Sequence, residues 1–158
     1  INEIAEERSE LFNRSESLTP SPEDYIKAAS MWTKYQGSTK TSKLIQAFRI
    51  VYYDLVFRIM TQKTQVIPCY SGTLNVHLAF NGVVGPCSVL GWEAGMGNVR
   101  DFDYDLKKLW HSKKAKEVRS NIHKKKCHCP MAGAAYTNIL CNFRTMMKVF
   151  WILVKKND

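Results

Sequence analysis

Apolar residues recur along the chain in two different rhythms. At Leu44, Phe48, Val51, Leu55 and Ile59 the spacing is three and four, which places them on one side of an α-helix. Upstream, Pro20-Ser21-Pro22-Glu23-Asp24 reads as a helix start, with Ser21 as N-cap, Pro22 at the first helical position and two acids in the first turn. This earlier helix is expected to run to about Tyr35, and the polar stretch from Gly37 to Lys40 reads as the loop between the two. From Val66 the helical rhythm stops. Leu74, Val76, Leu78 and Phe80 alternate with Thr73, Asn75, His77 and Ala79, the period-two pattern of a half-buried strand. Asn81-Gly82 then supplies a hairpin turn into Val83 and Val84. After a connection containing Gly91, Gly95 and Gly97, the residues Leu106, Leu109, Trp110, Ala115, Val118 and Ile122 mark one helix or two short ones, with Ser112 as an internal cap. Met146, Met147, Phe150, Leu153 and Val154 predict a closing core helix over Phe143 to Lys156. The expected class is α+β: a small β-hairpin with flanking α-helices, divided into a helical lead-in (1–65), a central segment (66–142) and the closing helix (143–158).

Length and composition leave this picture intact. At 158 residues, with 45% hydrophobic and 23% charged residues, the chain can bury a core without a metal or disulfide to hold it together. Its longest apolar run, Val149 to Val154, is six residues, far short of the roughly twenty that span a bilayer. No membrane partner is expected. Five cysteines is an odd number, and no secretory leader pattern opens the sequence, so a cytoplasmic protein with reduced thiols is expected rather than a secreted disulfide framework.

Charge is distributed unevenly. The net charge is +9, acids outnumber bases from Ile1 to Ser30, and Lys107 to Lys126 holds nine Lys or Arg against the single acid Glu117. Such a field favours an anionic partner, or a negatively charged group held nearby, although a solvated lysine-rich helix face has the same composition. Lys124-Lys125-Lys126 also suits a helix C-terminus, where backbone carbonyls carry partial negative charge.

The candidate chemistry lies in the cysteines. Cys69 precedes the expected hairpin and Cys87 follows it, so a tight turn at Gly82 brings the two segments together across eighteen positions. Cys127 and Cys129 flank His128 and can face one site if the backbone there is extended or irregular. Four thiolates suit an iron-sulfur cluster or a structural zinc ion. A one-residue gap without a second knuckle departs from the usual zinc spacing and tilts the choice toward iron and sulfur. The bases before Cys127 would offset the charge of a thiolate-ligated cluster and help keep the thiols ionised. The third alternative is buried free thiols, which cysteine commonly supplies. Cys141, between Leu140 and Asn142, reads as a packed thiol that could nonetheless replace Cys127 or Cys129 as a ligand.

Cys-x12-Gly-x4-Cys, followed by Gly97-Asn98-Val99-Arg100, Leu106, Leu109-Trp110, Ser112, Ala115 and a Cys-x-Cys, resembles the C-terminal auxiliary-cluster domain of radical SAM enzymes, called SPASM or, shortened, twitch. The resemblance covers residues 69–142 and is weaker in its tail. It implies one [4Fe-4S] cluster on Cys69, Cys87, Cys127 and Cys129, because full SPASM domains carry seven cysteines and two clusters. It also implies an electron-transfer or substrate-docking role. The partner would be a radical SAM catalytic barrel in the same longer chain, and a peptide or small molecule would be the parent enzyme's substrate. The Cys-x3-Cys-x2-Cys loop that binds the S-adenosylmethionine-cleaving cluster in such enzymes is not found here, so S-adenosylmethionine is expected only in the complete enzyme. Glu3 to Arg8 would then be a remnant of the barrel's end.

Other residues change little. His77 is expected on a polar strand face, and His128 to tune the site through a hydrogen bond to sulfur. Gly95-x-Gly97 lacks the third glycine and the strand-to-helix setting of a dinucleotide fingerprint. Ser71, Asp101, Asp103 and Asp105 form no defensible catalytic group, and the aspartates read as helix caps. The rival reading is a zinc-stabilised basic domain that binds nucleic acid or a protein partner. Against nucleic acid, Trp110 is the sole aromatic in the basic stretch that could stack a base.

Overall fold

The computed structural model describes residues 21–35, 42–91 and 94–155. Helices α1 (Pro22–Tyr35) and α2 (Lys43–Gln62) come first. Strands β1 (His77–Leu78), β2 (Val83–Gly85) and β3 (Gly97–Asn98) follow, then a 3-10 turn (Val99–Phe102) and helices α3 (Leu106–His111), α4 (Lys113–His123), α5 (Ala132–Leu140) and α6 (Phe143–Lys155). The class is α+β, as expected. The loop expected at 37–40 and the lead-in before residue 21 lie outside the described residues.

The chain divides into two compact units. One contains residues 69–127, and the other combines residues from Pro20 to Pro68 with the chain from His128 onward.

In the first unit the sheet is antiparallel in the order β1-β2-β3, with His77 opposite Gly85, Leu78 opposite Val84, and Val84 opposite Gly97. Val84, Met96, Leu109 and Ala115 form its buried centre, and Val76, Val99, Phe102 and Val118 pack around them. The hairpin forms at Asn81-Gly82 as its turn chemistry predicts, with Ala79 N–H donating to Val83 O (2.9 Å) and Gly82 at φ +87°. β3 went unread because Gly-Asn is ordinarily a turn signal; here Met96 N–H donates to Val84 O and draws the chain alongside β2.

The expected strand over 73–80 is shorter, and its phase is different. Gly72 to Leu74 form a turn in which the N–H groups of Thr73 and Leu74 both donate to Tyr70 O, so only His77 and Leu78 reach the ladder. Leu74, Leu78 and Phe80 consequently face solvent, while Val76 packs against the core and the small Ala79 is buried.

The helical expectations from Leu106 to Ile122 resolve into two helices. Asp105 caps α3 by accepting from Lys108 N–H, and Ser112 Oγ accepts from Ala115 N–H at 3.2 Å to start α4. Ser112→Ala is expected to cost about 1 kcal/mol, read as a lower denaturation midpoint with an unchanged slope.

In the second unit α2 buries Ala47, Val51, Tyr52, Leu55, Val56 and Ile59, against Ala29 of α1, Ala135 and Ile139 of α5 and Val149 of α6. The buried stripe is rotated slightly from the expected one: Leu44 is exposed and Phe48 only partly covered. α1 begins as expected, with Ser21 Oγ accepting from Asp24 N–H. α5 was not anticipated. Its Ala-Gly-Ala-Ala start has no large apolar rhythm, yet small residues at Ala134 and Ala135 allow close packing. Asn142 Oδ1 accepts from Thr145 N–H, and Thr145 Oγ1 donates toward Ile139 O and Asn142 O, both at 2.9 Å, which fixes the bend between α5 and α6. The closing helix is not wholly core: Thr145 and Val149 are buried, but Phe143, Met147, Phe150, Trp151 and Val154 are exposed. Cys141, expected to be packed, is exposed at the C-terminal end of α5 because that turn lies on the surface. No helix among the described residues is long and apolar enough to cross a membrane.

Candidate metal centre

Cys69, Cys87 and Cys127 belong to the first unit, and Cys129 falls two residues past its boundary. All four are of intermediate burial, and none lies in a strand or helix. Cys127 to Cys129 sit in the irregular backbone that a pair of ligands two positions apart requires.

The first two segments meet at Gly72. Its N–H donates to Pro86 O at 2.9 Å and to Asn75 O at 2.7 Å, so the chain three residues after Cys69 is bonded to the residue immediately before Cys87. The hairpin thus brings Gly72 and Pro86, neighbours of the two cysteine segments, into contact. Pro86 is fully buried, and a Cβ at position 72 would lie 3.1 Å from the Pro86 Cβ.

A third element joins at the same place through a residue that the charge pattern concealed. Arg119, one of nine bases in the 107–126 run, lies with its guanidinium carbon 5.3 Å from the centre of the Trp110 ring. Its Nη2 donates to Trp110 O at 2.7 Å and its Nη1 to Gly72 O at 3.5 Å. Helix α4, which leads to Cys127, is thereby tied to the turn between the first two cysteines. Burial of Arg119 against Trp110 could have been suspected only from their nine-residue separation, which crosses a helix break. Because charged hydrogen bonds contribute roughly 1.5 to 3 kcal/mol each and cation–π contact adds to them, Arg119→Ala is expected to lower stability by about 2 kcal/mol. Arg119→Lys is expected to recover little, since an ammonium cannot reproduce the planar fork. Urea titration of the three proteins checks both statements.

Cys87 is held by the loop it begins. Leu90 N–H donates to the Cys87 sulfur at 3.4 Å, and Gly91 N–H donates to Cys87 O at 2.9 Å. The loop returns so closely over β2 that a Cβ on Gly85 would stand 2.3 Å from Gly91 O, so position 85 accepts glycine alone. An N–H aimed at sulfur is the arrangement that stabilises a thiolate ligand.

The motif Gly97-Asn98-Val99-Arg100 acts as a clasp on the hairpin turn. Asn98 Nδ2 and Arg100 Nη1 both donate to Asn81 O, and Val99 N–H donates to Gly82 O at 2.9 Å. Asn98 Oδ1 also accepts from Arg100 N–H, which starts the 3-10 turn. A Cβ on Gly82 would meet Asn98 Oδ1 at 2.6 Å, so the glycine that permits the turn also admits the clasp. In the second unit, the buried Tyr52 donates through its hydroxyl to Pro130 O at 2.9 Å and stacks on Tyr136, which anchors the chain just after Cys129.

The thiols themselves are not drawn together: among the described residues no three His, Cys, Asp or Glu side chains are grouped so as to hold a metal ion. His128 is exposed and His77 is half-buried. Two polar atoms near the Cys69 segment, Ser71 Oγ and Asn75 Oδ1, are buried without a hydrogen-bond partner among the described residues.

Comparison with curated proteins and with solved structures finds no match. Residues 65–130 match the model of the SPASM family, an iron-sulfur cluster-binding domain. The match spans the cysteine-flanked hairpin, the Gly97–Arg100 clasp, α3 and α4, and the Cys127–Cys129 segment, so this region of the chain is similar to the SPASM iron-sulfur cluster-binding domain.

Proposed function

We propose that Cys69, Cys87, Cys127 and Cys129 hold one [4Fe-4S] cluster, and that this chain is the accessory part of a radical SAM enzyme, serving electron transfer or substrate docking and cleaving no S-adenosylmethionine itself. Held by all four thiols, such a cluster would supply one-electron redox chemistry; held by three of them, it would leave one iron open as a point of attachment for substrate. The observation that supports the ligand set best is the meeting at Gly72 of the segments carrying Cys69 and Cys87, with Arg119 joining α4 to the same turn. The donor set also fits: soft, partly shielded thiols, one already accepting a backbone N–H.

Since all four thiols lie outside regular structure, loading can draw the sulfurs together without breaking a helix or a strand. Ligand capture would then contribute to folding stability, as it does wherever a site is completed by its metal. The protein's part is to deprotonate, orient and shield the thiols. Leu90 N–H steadies the Cys87 sulfur, and Lys124, Lys125 and Lys126, all exposed beside Cys127, offset the anionic charge of four thiolates. The radical SAM barrel and its substrate are the expected partners, as the resemblance to the auxiliary-cluster domain of those enzymes implies.

Anaerobic reconstitution followed by EPR of the reduced wild type and of Cys127→Ala tests the reading. Four-thiolate ligation predicts a cluster signal in the wild type that is lost or markedly altered in the variant. An unchanged signal would remove Cys127 from the ligand set, and no signal in either protein would reject cluster binding.

A further inference from the structure

We infer that the Ser71 hydroxyl is a hydrogen-bond donor to the cluster, or to one of its thiolates, and raises the cluster's reduction potential. The inference rests on the proposed ligation and concerns a residue that the ligand set does not use.

Ser71 stands two positions after Cys69 in the turn that bonds to Pro86, the neighbour of Cys87. Its residue surface is only 3% exposed, and its Oγ has no hydrogen-bond partner among the described residues. A buried hydroxyl without a partner is costly, and native structures rarely retain one without a reason. The obvious acceptor is close in the chain: Ser71 and Asn75 form an isolated β-bridge, and Asn75 Oδ1 is itself buried and unpartnered. The two nevertheless do not pair. One donor and one acceptor therefore remain buried and unmatched in the segment between the first two cysteines, and the donor's proton is available to another group.

A sulfur of an anionic cluster is such a group. Thiolate and sulfide sulfurs bear the negative charge that makes them acceptors, and that charge grows on reduction. A hydroxyl donating to one of them stabilises the reduced state more than the oxidised state, which raises the potential.

The test is a redox titration, monitored by EPR, of the full chain after anaerobic loading, for wild type, Ser71→Ala and Ser71→Thr. Ser71→Ala is expected to take up as much iron and sulfide as wild type. At a fixed potential near the midpoint its ratio of reduced to oxidised cluster should fall several-fold, a tenfold fall corresponding to about 59 mV for one electron. Ser71→Thr, which keeps the hydroxyl, should restore the wild-type potential. Equal loading with equal potentials in all three overturns the role of Ser71 and leaves the ligand set standing; the hydroxyl would then turn to Asn75 or a water. A Ser71→Ala chain that folds but takes up no iron also overturns it, because a tuning group leaves the ligands in place. Failure of the wild type to load rejects the ligand reading and this inference together.

Discussion

Cys87→Ala is expected to abolish cluster loading, taking iron from roughly four per chain to background after anaerobic reconstitution. Its sulfur accepts a backbone N–H, that of Leu90, in a loop closed by Gly91 N–H on Cys87 O. Removing the sulfur leaves three of the proposed ligands and the Leu90 N–H without its sulfur acceptor, whereas the fold should persist, because the loop is still closed by Gly91 N–H on the residue 87 carbonyl. Circular dichroism of the unloaded variant should therefore match wild type while iron and sulfide analysis separates them. Cys141→Ala is the matched control. Its thiol is exposed at the end of α5, and the variant is expected to load fully. Full loading of Cys87→Ala, or loss of loading in Cys141→Ala, would require a different ligand set.

Gly85→Ala is expected to have the largest effect on stability, a loss of about 3 kcal/mol or more. The added methyl would sit 2.3 Å from Gly91 O and 3.0 Å from the Gly91 carbonyl carbon, and neither is the end of a flexible side chain that could swing away. Relief requires moving either β2, which pairs with both neighbouring strands through Val84, or the 87–91 loop. The first route weakens the sheet and the second displaces Cys87, so this substitution should reduce cluster loading as well as the urea midpoint. A stable variant with normal loading would show that the loop and the strand are not held against each other. Gly133→Ala offers a comparison, since no atom of the described residues outside its own helical neighbourhood lies within 4 Å of its added Cβ.

The features legible in the amino-acid sequence were those whose chemistry is local. Ser21 and Ser112 cap helices through groups three residues away, Asn81-Gly82 folds back on itself, and the Cys-x12-Gly-x4-Cys spacing reports the length of a hairpin. What escaped depends on contacts distant in the chain. β3 exists because Met96 and Gly97 find Val84, and α5 because Ala135 and Ile139 find α2 and α6. Alternation at 73–80 misled because the N–H groups of Thr73 and Leu74 bond to Tyr70 O and delay the strand, turning Leu74, Leu78 and Phe80 outward. Arg119 was hidden among lysines whose charge suggested solvent or a partner, while its fork is spent on two backbone carbonyls and an indole face. Ser71 was set aside for want of a triad; its interest comes from burial, which no spacing reveals.

Binding of one iron-sulfur cluster by the four proposed thiols is tested most directly by diffraction from crystals of the anaerobically loaded chain, with anomalous data collected on both sides of the iron absorption edge. The account predicts a single iron cluster bonded to the sulfurs of Cys69, Cys87, Cys127 and Cys129. A lone zinc ion at those sulfurs, or iron bound elsewhere with any of the four thiols free, would contradict it.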